Sequence, residues 1–292
     1  MILLVPLGPD AERPRLPRVT TALIALNVLV FLFTSRFDAS GVAREEASLE
    51  RIAGWTLEQA GRQRPALAER RARYPTALAF LLRDSAWPDE IAVGEDRERL
   101  EQCRDDYRRL REGHPFYRFG FLPADPASPR LVTHLFLHAD LLHLLFNMIF
   151  LWAVGGLLEL HWGEVVFAVF YLVSGVAAAL AHAAVNAGSL EPAVGASGAV
   201  AGLMGAFAAS HAREPMRLAL VSMLAFSPRI SFLTWPAWVF LGLWLLEQVF
   251  YAILTAHMSV GIAFGAHLGG FAFGGVAGWA VSRAVRARAG GV

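Results

Sequence analysis

The 292-residue chain contains no lysine; all 26 of its cationic Lys/Arg positions are arginine. Against them stand 25 Asp and Glu, a formal net charge of +1, so no field of one sign points to a nucleic-acid partner. Cysteine is nearly absent too. The single Cys103 excludes an internal disulfide framework. Apolar side chains are in excess: 55% of residues are hydrophobic and the mean hydropathy is +0.45, beyond an ordinary soluble domain. The opening MILLVPLGPDAERPRLPR has a short apolar start with no basic region before it. A cleavable signal is therefore not expected, and the first long apolar run serves as both address and anchor.

A membrane-crossing helix needs about 20 mostly apolar residues. Six such runs are read, at about 19–35, 135–158, 165–187, 197–212, 235–254 and 261–281. The fourth is short and rich in Gly and Ala. It is expected to start inside the membrane from a buried loop, which is tolerated only where protein or a water-filled cavity surrounds it. Residues 37–118 differ from the rest: Arg, Asp and Glu are mixed with apolar residues at helical spacing. They read as a mostly helical, water-exposed insertion, either a docking surface or a solvated spacer. The expected fold is an all-α membrane protein, a six-helix bundle with a mostly helical soluble insertion between helices 1 and 2. The expected divisions are a cytoplasmic segment 1–18, a first span 19–36, the insertion 37–118, a core 119–283 and a cytoplasmic tail 284–292.

Arginine in short loops sets the expected orientation. Arg13, Arg15 and Arg18 precede the first span. Arg213, Arg217 and Arg229 lie between the fourth and fifth, and Arg283, Arg286 and Arg288 end the chain. The opposite loops, about 188–196 and 255–260, contain none. Both termini are then cytoplasmic, and the second, fourth and sixth spans enter from the outer face. Polar residues early in those three spans can meet at one depth.

Three such sets exist. In PAVGASGAVAGLMGA, Ser197 stands among glycines, with Gly195 and Gly198 beside it. This pattern suits close helix packing, and it also suits a nucleophile. It is not the hydrolase elbow, since Ala199 stands where that motif needs glycine. A serine nucleophile needs a base, and His267 in GAHLGG is the candidate, expected six or seven residues into its helix. The third set is THLFLHADLLHLLFN, with His134, His138, His143 and Asn147. His143 and Asn147, four apart, share a helix face. They could stabilise an oxyanion together with the Ser197 backbone N–H; Asn147 could equally be interhelical glue. His134 and His138 have metal-ligand spacing, but no HExxH motif and no Cys or carboxylate cluster completes a site. No metal and no cofactor is expected. Glu247, well along the fifth span, needs a partner that the sequence does not name.

In this combination the chain resembles the rhomboid intramembrane serine proteases, over about 1–36 and 119–283. The matching motifs are GASG opening the fourth span, GAHLGG in the sixth, and the His run leading into HxxxN in the second. The resemblance implies Ser197 as nucleophile and His267 as general base, a dyad without a third acid. It implies an oxyanion hole of His143, Asn147 and the Ser197 backbone, with His134, His138, Gly195 and Gly198 as structural support. The implied partners are the lipid bilayer and single-span membrane proteins, cleaved where helix-destabilising residues lie near the outer end of the span. A catalytically silent rhomboid-like chaperone or binding protein is the alternative. Two positions depart from the family's habit. Pro129-Arg130 stands where a Trp-Arg pair is usual, and Ala201 stands where an aromatic residue often packs on the histidine.

Overall fold

The computed structural model describes residues 2–9, 15–37, 39–74, 76–84, 86–90, 94–224, 227–254 and 263–289. Arg13 and the 255–260 loop lie outside them. Strand β1 (Ile2–Pro9) comes first, followed by α1 (Arg18–Thr34). The insertion contributes α2 (Ala39–Gln63), α3 (Pro65–Arg71), α4 (Ala77–Arg83), α5 (Trp87–Glu90), α6 (Glu95–Gly113) and α7 (Pro115–Phe119). A short α8 (Arg130–Thr133) precedes one long helical stretch. That stretch is α9 (Leu141–Phe150), a π-helical turn at Leu151–Gly155, and α10 (Gly156–Trp162). Then come α11 (Glu164–Val185), α12 (Ser197–Ser210), strands β2 (Pro215–Leu224) and β3 (Ser227–Pro236), α13 (Ala237–Leu254) and α14 (Phe264–Ala289).

Among the described residues, three helical stretches are long and apolar enough to cross a membrane: Leu141–Trp162, Glu164–Val185 and Ala237–Leu254. Helices α1 and α12 are apolar but shorter. α14 has 26 residues and runs past position 283, so the expected tail is largely helical.

The expectation of an all-α fold needs a correction. The protein is mostly helical, but β1, β2 and β3 form an antiparallel sheet in that order. Alternation explains it. Met216, Leu218, Leu233 and Trp235 face the main core, while Ile230 and Phe232 point away and are exposed. Two-residue periodicity of this kind makes a half-buried strand. The stretch carries Arg217 and Arg229 between two long apolar runs, so it reads as a connection and its period is easily overlooked. The π turn is the second difference, since the sequence reads as one continuous helix there. π turns inside α-helices often occur at functional sites.

The insertion has its own core, built on Leu57, Leu67, Phe80, Trp87, Leu100 and Tyr107. Glu50 accepts the backbone N–H groups of Ala77 at 2.6 Å and Leu78 at 2.9 Å, and Thr76 accepts from Ala79 at 3.0 Å. These bonds satisfy the free donors at the start of α4. Glu46 accepts from the hydroxyl of Tyr107 at 3.0 Å and from that of Tyr117. Burial, and then the Glu46 charge, push both phenols well above their usual range, so both remain donors. Burial also raises the Cys103 thiol, consistent with an unreactive core side chain.

At the far end of the core, Glu159 does the capping that α1 cannot do for itself. Pro17 precedes α1 and offers no side-chain cap. The buried Glu159 carboxylate instead accepts from Val19 N at 2.9 Å, Thr20 N at 2.7 Å and Thr20 Oγ1 at 2.7 Å. A carboxylate at a helix N-terminus also complements the helix dipole. Glu159→Ala leaves these donors buried and unpaired. We expect a loss of about 2 kcal/mol or more, read as a lower thermal midpoint in detergent.

Candidate active site

α12 begins at Ser197 itself, so its first backbone N–H groups have no acceptor within the helix. The turn into it depends on Gly195, whose φ of +124° is unfavourable for any side chain. A Cβ there would stand 2.7 Å from His143 Cε1, 2.8 Å from His143 Nε2 and 3.7 Å from Ser197 Oγ. The His143 ring and the serine hydroxyl therefore flank the same small glycine. The loop feeding this turn is stitched down by backbone. Phe121 and Ala193 exchange hydrogen bonds of 2.9 and 2.8 Å, Ala124 N donates to Ser189 O at 2.9 Å, and Gly195 N donates to His134 O at 3.0 Å.

The start of α9 is fixed by Asp140, whose side chain accepts from His143 N at 2.8 Å and caps the helix. His143 follows within the first turn. Asn147, one turn further, is buried and donates back to His143 O at 2.9 Å. An amide nitrogen carries two hydrogens, so this bond uses one of them. His134 Nδ1 contacts Arg130 O at 2.7 Å. His138 is buried edge-on against the His143 ring, with centroids 5.2 Å apart. Among the described residues no group of three His, Cys, Asp or Glu side chains could hold a metal ion.

α14 reaches this place by lying against α12 nearly backbone to backbone. A methyl group on Gly270 would overlap the carbonyl oxygen of Gly198, and one on Gly274 that of Gly202. Beside Ser197, a Cβ on Gly198 would meet Ala266 Cβ at 3.7 Å. His267, next to Ala266, is the fourth residue of α14 rather than the sixth or seventh expected. Ser197 and His267 thus occupy the first turns of two helices in contact. Among the hydrogen bonds of the described residues none joins Ser197 Oγ to His267. Such bonds are often long in a free enzyme and tighten when substrate binds.

The brace for His267 comes from α13. Gln248 Oε1 lies 2.7 Å from His267 Nδ1. A carbonyl oxygen only accepts, so the proton sits on Nδ1 and the lone pair on Nε2. Trp244 and Phe264 flank the ring, with centroids at 6.1 and 6.3 Å. Ala201 is fully buried and leaves this role to α13. The signal for Gln248 was present in the sequence. Ala237, Leu241, Trp244 and Gln248 recur at helical spacing on one face of α13. Its neighbour Glu247 is exposed, on a different face.

Two variants separate these contributions. Gln248→Leu should lower kcat roughly tenfold to a hundredfold with KM little changed, because it frees the imidazole tautomer without touching substrate. Steady-state kinetics on a cleavable reporter reads the split. Gly270→Ala should force α14 off α12, cost about 1–3 kcal/mol in thermal stability and reduce labelling of Ser197 by a fluorophosphonate.

A family model described as Rhomboid domain matches residues 127–284. Over 77 residues the chain is 39% identical to Rhomboid protease GluP of Bacillus subtilis (strain 168), a stretch covering 26% of this chain and 15% of that protein. Over a stretch of equal length it is 38% identical to RHOMBOID-like protein 5 of Arabidopsis thaliana, covering 25% of it, and 40% identical to RHOMBOID-like protein 6, mitochondrial, covering 24%. The matched stretch therefore spans a quarter or less of each relative. The family match covers more than half of this chain, including every residue of the Ser197 site: the protein belongs to the rhomboid family, integral membrane proteins that include serine proteases.

Proposed function

We propose that this protein is an intramembrane serine endopeptidase working through Ser197 and His267. The observation that carries the reading is the junction of α12 and α14. Glycine contacts bring the first turns of the two helices together, and Gln248 holds the imidazole with Nε2 unprotonated. In the reaction, Ser197 Oγ attacks a peptide carbonyl while His267 Nε2 takes the hydroxyl proton. The tetrahedral oxyanion is stabilised by the Ser197 backbone N–H, the His143 imidazole and the remaining Asn147 amide hydrogen. His267 then protonates the leaving amine, and water hydrolyses the acyl-enzyme by the same route in reverse.

The substrate is a single-span membrane protein. A continuous helix hides its carbonyls in hydrogen bonds, so the segment must unwind before attack, and Gly or Pro lowers that cost. The chain crosses the bilayer six times, in a bacterial plasma membrane, with both termini cytoplasmic and Ser197 near the outer face. The arginine distribution supports this orientation. The silent rhomboid-like alternative is disfavoured because such members lack the serine or the histidine, and this chain has both.

Wild type and Ser197→Ala, reconstituted side by side in liposomes, should differ completely on a reporter with one Gly-containing transmembrane segment. Cleavage by both would identify another nucleophile. Absence of cleavage by wild type, together with absence of fluorophosphonate labelling at Ser197, would favour the silent alternative.

A further inference from the structure

A cavity of about 420 Å³ opens where the insertion meets the membrane core, lined by Arg108, Arg111, Glu112, Tyr117, Arg118 and Arg130. Four guanidinium groups face one carboxylate, so the wall carries an excess of three positive charges. The neutralising contacts are weak. Arg108 stands 3.8 Å from Asp105, and Arg130 stands 3.4 Å from Asp125, both longer than a strong charge-assisted bond. Arg111 and Arg118 have no carboxylate within 4.0 Å among the described residues. Aromatic faces hold them instead. Arg111 sits 5.7 Å from the Tyr107 ring and 5.9 Å from the Tyr117 ring, and Arg118 sits 5.3 Å from the Phe119 ring. Such contacts orient a guanidinium without cancelling its charge. The Tyr117 hydroxyl donates to Glu46, whose carboxylate lies behind the floor, while Glu112 is the one carboxylate among the lining side chains.

The position of the cavity supplies a second, independent observation. Arg130 opens α8, shortly before the chain enters the first long apolar helix. Thr133 Oγ1 donates to Phe119 O at 2.6 Å and ties the end of α7 to α8. At this tie the apolar side chains are bare: Phe119 is 42% exposed and Val132 40%. Apolar side chains facing outward beside a cluster of arginines are what a membrane interface selects, acyl chains on one side and phosphates on the other. The planar guanidinium fork suits phosphate oxygens in particular.

We propose that this cavity binds the phosphate of an anionic phospholipid in the leaflet on which the active site opens, with Arg111 and Arg118 as its main ligands. The bound lipid pins the insertion to the bilayer beside the entrance of the second span. The site is independent of the protease reading, and its test does not use proteolysis.

The full-length protein in detergent is titrated with short-chain phosphatidylglycerol, phosphatidylcholine and inorganic phosphate, and bound species are counted by native mass spectrometry. Wild type should take one phosphatidylglycerol at roughly tenfold lower concentration than phosphatidylcholine, with the preference shrinking in high salt. The double variant Arg111→Gln/Arg118→Gln should lose that preference, and Arg111→Lys/Arg118→Lys should keep part of it. Equal binding of the two lipids by wild type overturns the proposal, and so does a preference that survives the Gln substitutions. Inorganic phosphate binding as tightly as the anionic lipid would make this a free-anion site. A Glu-rich peptide that displaces the lipid more effectively than the lipid binds would make it a protein-docking site. Should the Gln variant fail to fold, the wild-type lipid comparison and its salt dependence decide the matter.

Discussion

Everything at the candidate site depends on two helix backbones touching. α12 and α14 approach until Gly198 and Gly202 carbonyls lie where side chains on Gly270 and Gly274 would otherwise be. In lipid the hydrophobic effect does not press helices together, because acyl chains are as apolar as leucine. Contact must be won by close van der Waals fit, and small residues permit the closest fit. The same closeness decides chemistry. With bulkier residues the helices would stand apart, and the first turn of α14 could not present an imidazole beside the first residue of α12.

Around that contact hydrogen bonds fix the loops, and one to Gln248 fixes the His267 ring. The chain before Ser197 is laced to residues 121–124 and to the His134 carbonyl, so the serine is placed by backbone. Gly188 and Leu190 of the same loop lie against Arg83 and the core of the insertion. The insertion therefore rests on the segment that leads into Ser197. At the opposite end, Glu159 joins the start of α1 to α10, Trp162 Nε1 donates to Ser282 Oγ at 3.0 Å, and Arg286 donates to the last-turn carbonyl of Ser210 at 3.0 Å. These bonds tie the helices together at the end of the bundle away from Ser197.

Legibility in the sequence varied with the kind of information needed. The serine, both site histidines and Asn147 stood out because a polar side chain in an apolar run has few roles. The helices were legible for a related reason: long apolar runs have few folds available to them. The sheet was missed because β2 and β3 carry Arg217 and Arg229 between two long apolar runs, where the stretch reads as a connection. Gln248 was passed over in favour of the charged Glu247 beside it. Charge drew attention to the wrong neighbour, although the face shared with Ala237, Leu241 and Trp244 pointed to the amide.

By itself the sequence determined which segments are apolar enough to be helices in a membrane, and which polar residues those segments carry. These are properties of single stretches, set by composition and period. Only the tertiary structure decided that β1 pairs with β2, that His267 lies in the first turn of its helix and is held by Gln248, and that four arginines from three separate helices line one cavity. Those facts depend on which backbones can approach and which caps are available. The relevant partners lie far apart in the chain, so no local pattern encodes them.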